Sequence, residues 1–225
     1  MSKKILALML CLLACLSLLA GCAQSDGKTV GTGKDAGKLV VATSPDFPPF
    51  ENLEDGKVVG IEVEIMELIC QELGVTLDIQ QMNFDTVLPG IQAGKYDVGV
   101  SGISVTPKRE KNVKFTVPYC LAAQAIVVLE TSDIKGKADL TGKNISVQSG
   151  TTAETFCMEN NYDISAFAAN TDAEMALTTG KVQAWVIDDL TAAEMVAIYN
   201  EEHPDAPLVI LDEAMTTEPY AFASA

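Results

Sequence analysis

From Lys38 onward, short apolar runs alternate with amphipathic stretches, and a breaker marks each change of period. Lys38 to Thr43 (KLVVAT) is an apolar run cut off by Ser44-Pro45-Asp46-Phe47-Pro48-Pro49-Phe50, the pattern of a buried strand feeding a loop. Ile61, Ile65, Leu68, Ile69 and Leu73 then recur at three- and four-residue spacing, with Glu62, Glu64 and Glu67 early and Gly74 after them, which predicts a helix. Val75 to Ile79 alternates as a strand, Asp85 can cap a helix carrying Val87, Leu88 and Ile91, and Tyr96 to Val100 is the next strand. Strand, helix, strand, helix, strand implies parallel pairing through crossover helices.

The same grammar returns after Tyr119. Gln124 to Leu129 and Asn144 to Gln148 read as strands, and Ser149-Gly150-Thr151-Thr152 opens a helix. Ala166 to Ala169 is short and extended, Thr171 caps a helix running to Gly180, and Gln183 to Ile187 is a strand. Asp188 starts a helix with Leu190, Met195 and Ile198, and Leu208 to Leu211 closes the series. Two α/β units joined at Tyr119 to Leu129 predict two lobes with a cleft between them. Ligands of open parallel sheets sit beyond the carboxyl ends of the strands, so function is expected in that cleft.

Ahead of this body, Lys3 and Lys4 precede an apolar run from Ile5 to Ala20 and then Leu19-Ala20-Gly21-Cys22. That is a signal-peptide pattern over 1–21, too short and lopsided for a spanning helix. Residues 22–37 are Gly-, Ser-, Thr-, Lys- and Asp-rich and read as a flexible tether. The formal charge of −16 argues against nucleic acid and anionic lipid as partners, both of which demand clustered Lys and Arg. Cys70, Cys120 and Cys157 have wide, irregular spacing that indicates neither a zinc site nor a disulfide framework, and they read as buried small hydrophobes. The single histidine, His203, lies in a polar turn and reads as solvated.

The candidate chemistry centres on Gly102-Ile103-Ser104-Val105-Thr106-Pro107-Lys108-Arg109. This segment joins backbone amides, a hydroxyl and the only arginine of the 225 residues, the equipment for holding a carboxylate in a fork of donors. The alternative is a turn with a solvated arginine. Thr151 and Thr152 stand at a helix start, where free amides and positive potential suit an anion. Asp188, at a strand-to-helix junction, can be an N-cap, and Phe47 and Phe84 can be core aromatics.

With these segments assembled, the chain resembles the family 3 extracellular solute-binding proteins, the amino-acid receptors of ABC importers. The marks are VVATSPDFPPFEN, GKVVGIEVEIMELICQELG, FDTVLPGIQAGKYDVGVSGISVTPKREKNVKFTVPY, LTGKNISVQSGTTAE and AWVIDDLTAAE, in order over Lys38 to Tyr220. The resemblance implies a type II periplasmic-binding-protein-like α/β fold of two lobes, each a mainly parallel sheet flanked by helices, joined by two hinge strands. Lobe 1 would span 38–122, lobe 2 123–217, and 218–225 would return to lobe 1. The family adds a further strand and helices after Tyr220, so the C-terminal part of lobe 1 is expected to be missing here.

For the site, the resemblance implies that Phe47 stacks on the ligand and that Phe84 forms a second wall. Ser101, Gly102 and Ser104 would receive the α-ammonium and α-carboxylate, and Arg109 would pair with the carboxylate together with Thr151 and Thr152. Asp188 would hold the ammonium. Ser44 stands where several members carry an acidic residue that reads the ligand's side chain. Leu19-Ala20-Gly21-Cys22 resembles a lipobox, implying a lipid on Cys22 and an extracytoplasmic location at the membrane. The implied partners are a free amino acid and the permease and ATPase of an ABC importer, with no cofactor or metal. Two alternatives remain open: an enzyme on the same fold, similar to cyclohexadienyl dehydratase, and the sensor half of a membrane receptor, which requires a spanning helix after Ala225.

Overall fold

The computed structural model describes residues 37–225; the expected signal segment and the expected lipidation site Cys22, with all but the last residue of the tether, lie outside the described residues. Two five-stranded sheets form the body. The first has the order β5(Thr76–Gln81)-β1(Lys38–Thr43)-β6(Val98–Gly99)-β15(Ala223–Ser224)-β7(Lys114–Phe115). The second has the order β11(Asp163–Phe167)-β10(Asn144–Gln148)-β12(Ala184–Asp188)-β9(Gln124–Leu129)-β13(Leu208–Ile210). The chain passes between them twice, through β8(Cys120–Ala122) and β14(Glu218–Tyr220), which pair antiparallel. A small meander, β2(Asp46–Phe47)-β3(Glu51–Glu54)-β4(Lys57–Val59), leads out of β1.

Both sheets are mixed. β1 is parallel to β5 and β6, and β10 is parallel to β11 and β12, as crossover helices require. β9 lies antiparallel between β12 and β13, and β15 antiparallel between β6 and β7. These inserted strands are the ones that have just crossed from the other body, so they carry no crossover helix to impose direction. The helices are α1(Ile61–Leu73), α2(Phe84–Gln92), α3(Thr152–Glu159), α4(Asn170–Thr178) and α5(Asp189–Glu202). Gly74 ends α1 in the left-handed conformation at φ 67, where its missing Cβ matters. Among the described residues no helix is long and apolar enough to cross a membrane.

Period-two alternation sorts the second sheet's side chains onto two cores. Ile126, Val128, Ile145, Val147 and Val186 face α3, while Val127, Trp185 and Ile187 face α4 and α5. In the first sheet, Ala42 packs with Phe84, Val87 and Ile91 of α2, and Val41 with Met66 of α1.

Several expectations shift. The side of α1 turned inward carries Glu62, Val63, Met66 and Cys70, leaving Ile61, Leu68 and Leu73 exposed, because Glu62 finds its partners beneath β6. α2 starts at Phe84 with Asn83 as its N-cap, so Asp85 lies inside the first turn; α4 starts at Asn170, one residue before Thr171. Cys70 and Cys157 are buried, whereas Cys120 on β8 is half-exposed, and all three are free thiols.

Candidate functional site

The carboxyl ends of β1, β6, β10 and β12 converge on a small, partly open cavity. From the first body come Asp46, Phe47, Phe84, Ser101, Gly102, Ser104 and Arg109; from the second come Gln148, Thr151, Thr152 and Asp188. Ser44 does not line it. It stands behind, where its amide donates to the Ser101 hydroxyl at 3.1 Å and its own hydroxyl to Asp46 at 3.0 Å.

Arg109 reaches across the cavity. It donates through Nη1 to the Ser104 carbonyl at 2.9 Å and through Nη2 to the Gly150 carbonyl, on the second body, at 3.1 Å, and its guanidinium lies 5.6 Å from the centre of the Phe84 ring. Two of its five N–H donors are thereby spent and the rest are free. Among the described residues the ion pairs are Lys38–Asp78 and Lys143–Asp133, so Arg109 has no carboxylate partner. Loss of water lowers its pKa, opposed by the charges of Glu218 and Asp188. A partly buried guanidinium with no carboxylate partner among the described residues suits an anion.

Opposite it, Asp188 ends β12, only 7% exposed. Its carboxyl accepts from the Gln124 amide, at the start of β9 just past the first crossing, and from the Tyr220 hydroxyl, on the second crossing β14. Burial pushes its pKa up to about 7, with Glu218 and Asp189 adding to the rise and the two hydrogen bonds opposing it. It also occupies the N-cap position of α5, yet makes no side-chain capping bond, because its oxygens are turned to Gln124 and Tyr220.

The α3 start divides its labour. The Thr151 hydroxyl accepts from the Glu154 amide at 3.1 Å and donates to the Gln148 carbonyl at 2.7 Å, so it caps the helix. Among the described residues the Thr152 amide has no partner and remains a free donor at a helix N-terminus, while its hydroxyl accepts from Gln124 at 3.3 Å. On the first body, Ser101 is spent on Glu51 at 2.8 Å and the Gly102 amide on Glu62 at 3.2 Å. The Gly102 carbonyl and the Ser104 hydroxyl accept or donate no hydrogen bond among the described residues. Gly102 sits at φ +51, and a Cβ there would collide with the Phe47 ring, so glycine lets the ring lie on the backbone.

Asp46 and Gln148 were not singled out in the sequence, and Gln124 and Tyr220 were not either. Asp46 accepts from Gln148 Nε2 at 3.2 Å and from the Asn170 amide, at the N-terminus of α4, at 2.6 Å, bridging the two bodies. Burial raises its pKa, and those bonds with Ser44 oppose the rise. Gln148 ends β10, so the strand-end rule could have found it; Gln124 and Tyr220 arrive through the crossings and carry no local signal.

The family profile of bacterial extracellular solute-binding proteins, family 3, matches residues 39–206. The chain belongs to that family. It is 32% identical over 178 residues to the probable histidine-binding protein of Campylobacter jejuni, covering 72% of this chain and 67% of that protein. It is 27% identical over 192 residues to ABC transporter arginine-binding protein 1 of Escherichia coli, covering 84% and 76%. The arginine-bound form of truncated ArgBP from T. maritima superposes with a TM-score of 0.77 at 38% identity, covering 84% of this chain and 88% of that one. Across curated relatives the chain spans 57% to 76% of their lengths. These proteins are named for what they bind, none for a reaction, and the two mixed sheets with paired crossings are the two-lobed type II architecture of the family.

Proposed function

We propose that this family 3 member is an extracytoplasmic receptor that captures a free α-amino acid between lobe 1 (38–122) and lobe 2 (123–217), with 218–225 returning to lobe 1, and delivers it to the permease and ATPase of an ABC importer. One observation carries the reading: a partly buried arginine from one sheet, with no carboxylate partner among the described residues, and a buried carboxyl from the other face the same small cavity. Arg109 and the Thr152 amide take the ligand's carboxylate. Asp188, with the free Ser104 hydroxyl and Gly102 carbonyl, takes its ammonium, and Phe47 and Phe84 flank its stem. Hinge closure through β8 and β14 brings the halves together.

Once both backbone charges of the ligand are matched, Asp46 and Gln148 are the polar groups left on the wall. Acceptors there favour a side chain rich in donors, in keeping with relatives named for arginine and histidine, so arginine is the first candidate. Lipidation at Cys22 would tether the receptor at the membrane, several acyl chains on one residue giving stable anchoring. Cys22→Ala should move the protein from the detergent phase to the aqueous phase, and a variant still in the detergent phase would remove that part of the proposal.

A thermal-shift screen against the common amino acids tests the reading. At a hundred times its dissociation constant a ligand stabilises by about 2.7 kcal/mol, several degrees for a protein of this size. The expected result is a shift with arginine or another cationic amino acid. No shift with any amino acid, or turnover of prephenate or arogenate, would replace the receptor with the enzyme alternative.

A further inference from the structure

Behind the cavity, outside its lining, lies a pair of buried carboxyl side chains. Glu51, on β3, and Glu62, in the first turn of α1, are both fully buried, and neither has a cation within ion-pair distance among the described residues. Burying a carboxyl without a partner is costly, so what surrounds the two should account for their presence. Glu62 accepts from the Gly102 amide with both oxygens, each at 3.2 Å, and from the Tyr119 hydroxyl. Glu51 accepts from the Ser101 hydroxyl at 2.8 Å through one oxygen. Its other oxygen is buried with no donor reaching it.

Burial first, and then the neighbouring Glu62, hold the Glu51 carboxyl well above the usual carboxylate range. A neutral Glu51 carries a proton that the adjacent Glu62 carboxyl can accept. The positive end of α1 lies beside the pair, since Glu62 is its second residue.

Three parts of lobe 1 meet at this point. Ser101 and Gly102 form the turn that lines the cavity, Glu51 closes the loop that carries Phe47, and Tyr119 leads into the crossing strand β8. The Tyr119 amide donates to the Tyr220 carbonyl at 2.9 Å, and the Tyr220 hydroxyl donates to Asp188. Adjacent tyrosines on the two crossings thus each hold a carboxyl, Tyr119 that of Glu62 and Tyr220 that of Asp188.

We propose that Glu62 is the positioning residue of the binding turn: its carboxyl pins the Gly102 amide from behind, which leaves the Gly102 carbonyl facing the ligand, and ties that turn to the hinge through Tyr119. Glu51 keeps the carboxyl in place from the other side. Glu62 touches no ligand, and its effect on affinity, which rests on the amino-acid reading above, passes entirely through Gly102 and Tyr119.

The test compares Glu62→Gln with Glu64→Gln, an exposed position on the same helix, in the full chain. Two quantities are read: amide hydrogen exchange at Gly102, with Val147 of the second sheet as internal reference, and calorimetric affinity for L-arginine. A glutamine offers Gly102 one acceptor and turns an amide group toward Tyr119 or Glu51, so Gly102 should exchange about tenfold faster, or more, with Val147 unchanged, and arginine should bind about tenfold more weakly. Glu64→Gln should change neither. If Glu62→Gln does not fold, Tyr119→Phe decides, because removing the hinge-side donor should quicken Gly102 exchange several-fold. Wild-type exchange at Gly102 in a folded Glu62→Gln or Tyr119→Phe protein overturns the proposal, as does equal acceleration at Val147, which would mean general loosening. If the wild-type chain binds no arginine, the receptor reading loses its first candidate, while Gly102 exchange still decides this one.

Discussion

At the scale of single residues, the site is a set of charges that the protein leaves incomplete. Among the described residues Arg109 has no carboxylate partner and Asp188 no cation, and Asp188 is buried while Arg109 is partly so. Asp188 makes this measurable. Its pKa of about 7 lies above the ordinary 3.8, so the folded, empty protein holds a proton that the unfolded chain gives up. The contribution of that group to stability is therefore greatest below about pH 4 and is lost as pH rises through 7. Ligand binding works in the opposite sense, because an ammonium favours the ionised carboxyl. Affinity for an amino acid should hold steady above pH 7.5 and fall about tenfold per unit once pH drops well below 7, with a proton released on binding. Calorimetry in two buffers of different ionisation heat, repeated at pH 5.5, 6.5 and 8, reads both effects. An affinity flat across that range would show that Asp188 does not receive the ammonium. The family resemblance implies the ammonium role for Asp188, whereas its residue type and position alone read as a helix cap; its raised pKa was not legible, because Gln124 and Tyr220 reach it from distant parts of the chain.

Among elements, the loops after β1, β6, β10 and β12 do the work, and the closeness of their approach is set by glycine. Gly150 sits at φ +80 ahead of α3, and a Cβ there would lie 2.8 Å from the Asp85 Cα of α2, on the other lobe. Gly150→Ala therefore carries two separable penalties. The positive φ strains the variant in every state, by roughly 1 kcal/mol, which lowers Tm by a few degrees. The collision occurs only when the lobes meet, so it should weaken ligand binding by a further factor of about ten or more and leave a more open average shape in X-ray scattering with ligand present. A variant that lost the few degrees and kept wild-type affinity would show that the α2–α3 contact is not part of the bound state. The helices and central strands were readable because their periods are local, as KLVVAT and QAIVVL show. β7, β8, β14 and β15 were missed because two- and three-residue strands leave no period, and the outward turn of Leu68 on α1 was missed because a buried Glu62 overrode the apolar stripe.

For the whole molecule, two sheets face each other across the cavity, and the chain crosses between them at β8 and β14, each crossing continuing into a strand inserted antiparallel in a parallel set. The overall plan followed from strand and helix order; the antiparallel insertions did not, because direction there is decided by where the chain comes from. Eleven residues line the cavity, and nine of them are also sequence candidates for the site, such as Arg109 in its turn and Thr152 at the start of α3. Asp46 was overlooked because its importance comes from Asn170 and Gln148, far along the chain. The central claim is that Arg109 and Asp188 close on opposite ends of one zwitterion. Calorimetric titration of L-arginine, or of the amino acid that the thermal screen selects, into Arg109→Ala, Arg109→Lys, Asp188→Ala and Lys108→Ala tests it directly. Each of the first three leaves a ligand charge buried and ill-matched, so affinity should fall by about 2 to 5 kcal/mol, roughly thirty-fold to several thousand-fold, and lysine should not rescue because a point charge cannot replace a fork. Lys108 is exposed and lines a neighbouring groove rather than this cavity, so its variant should bind like wild type. If Lys108→Ala weakened binding as much as Arg109→Ala, attraction would be diffuse and the clamp would be wrong.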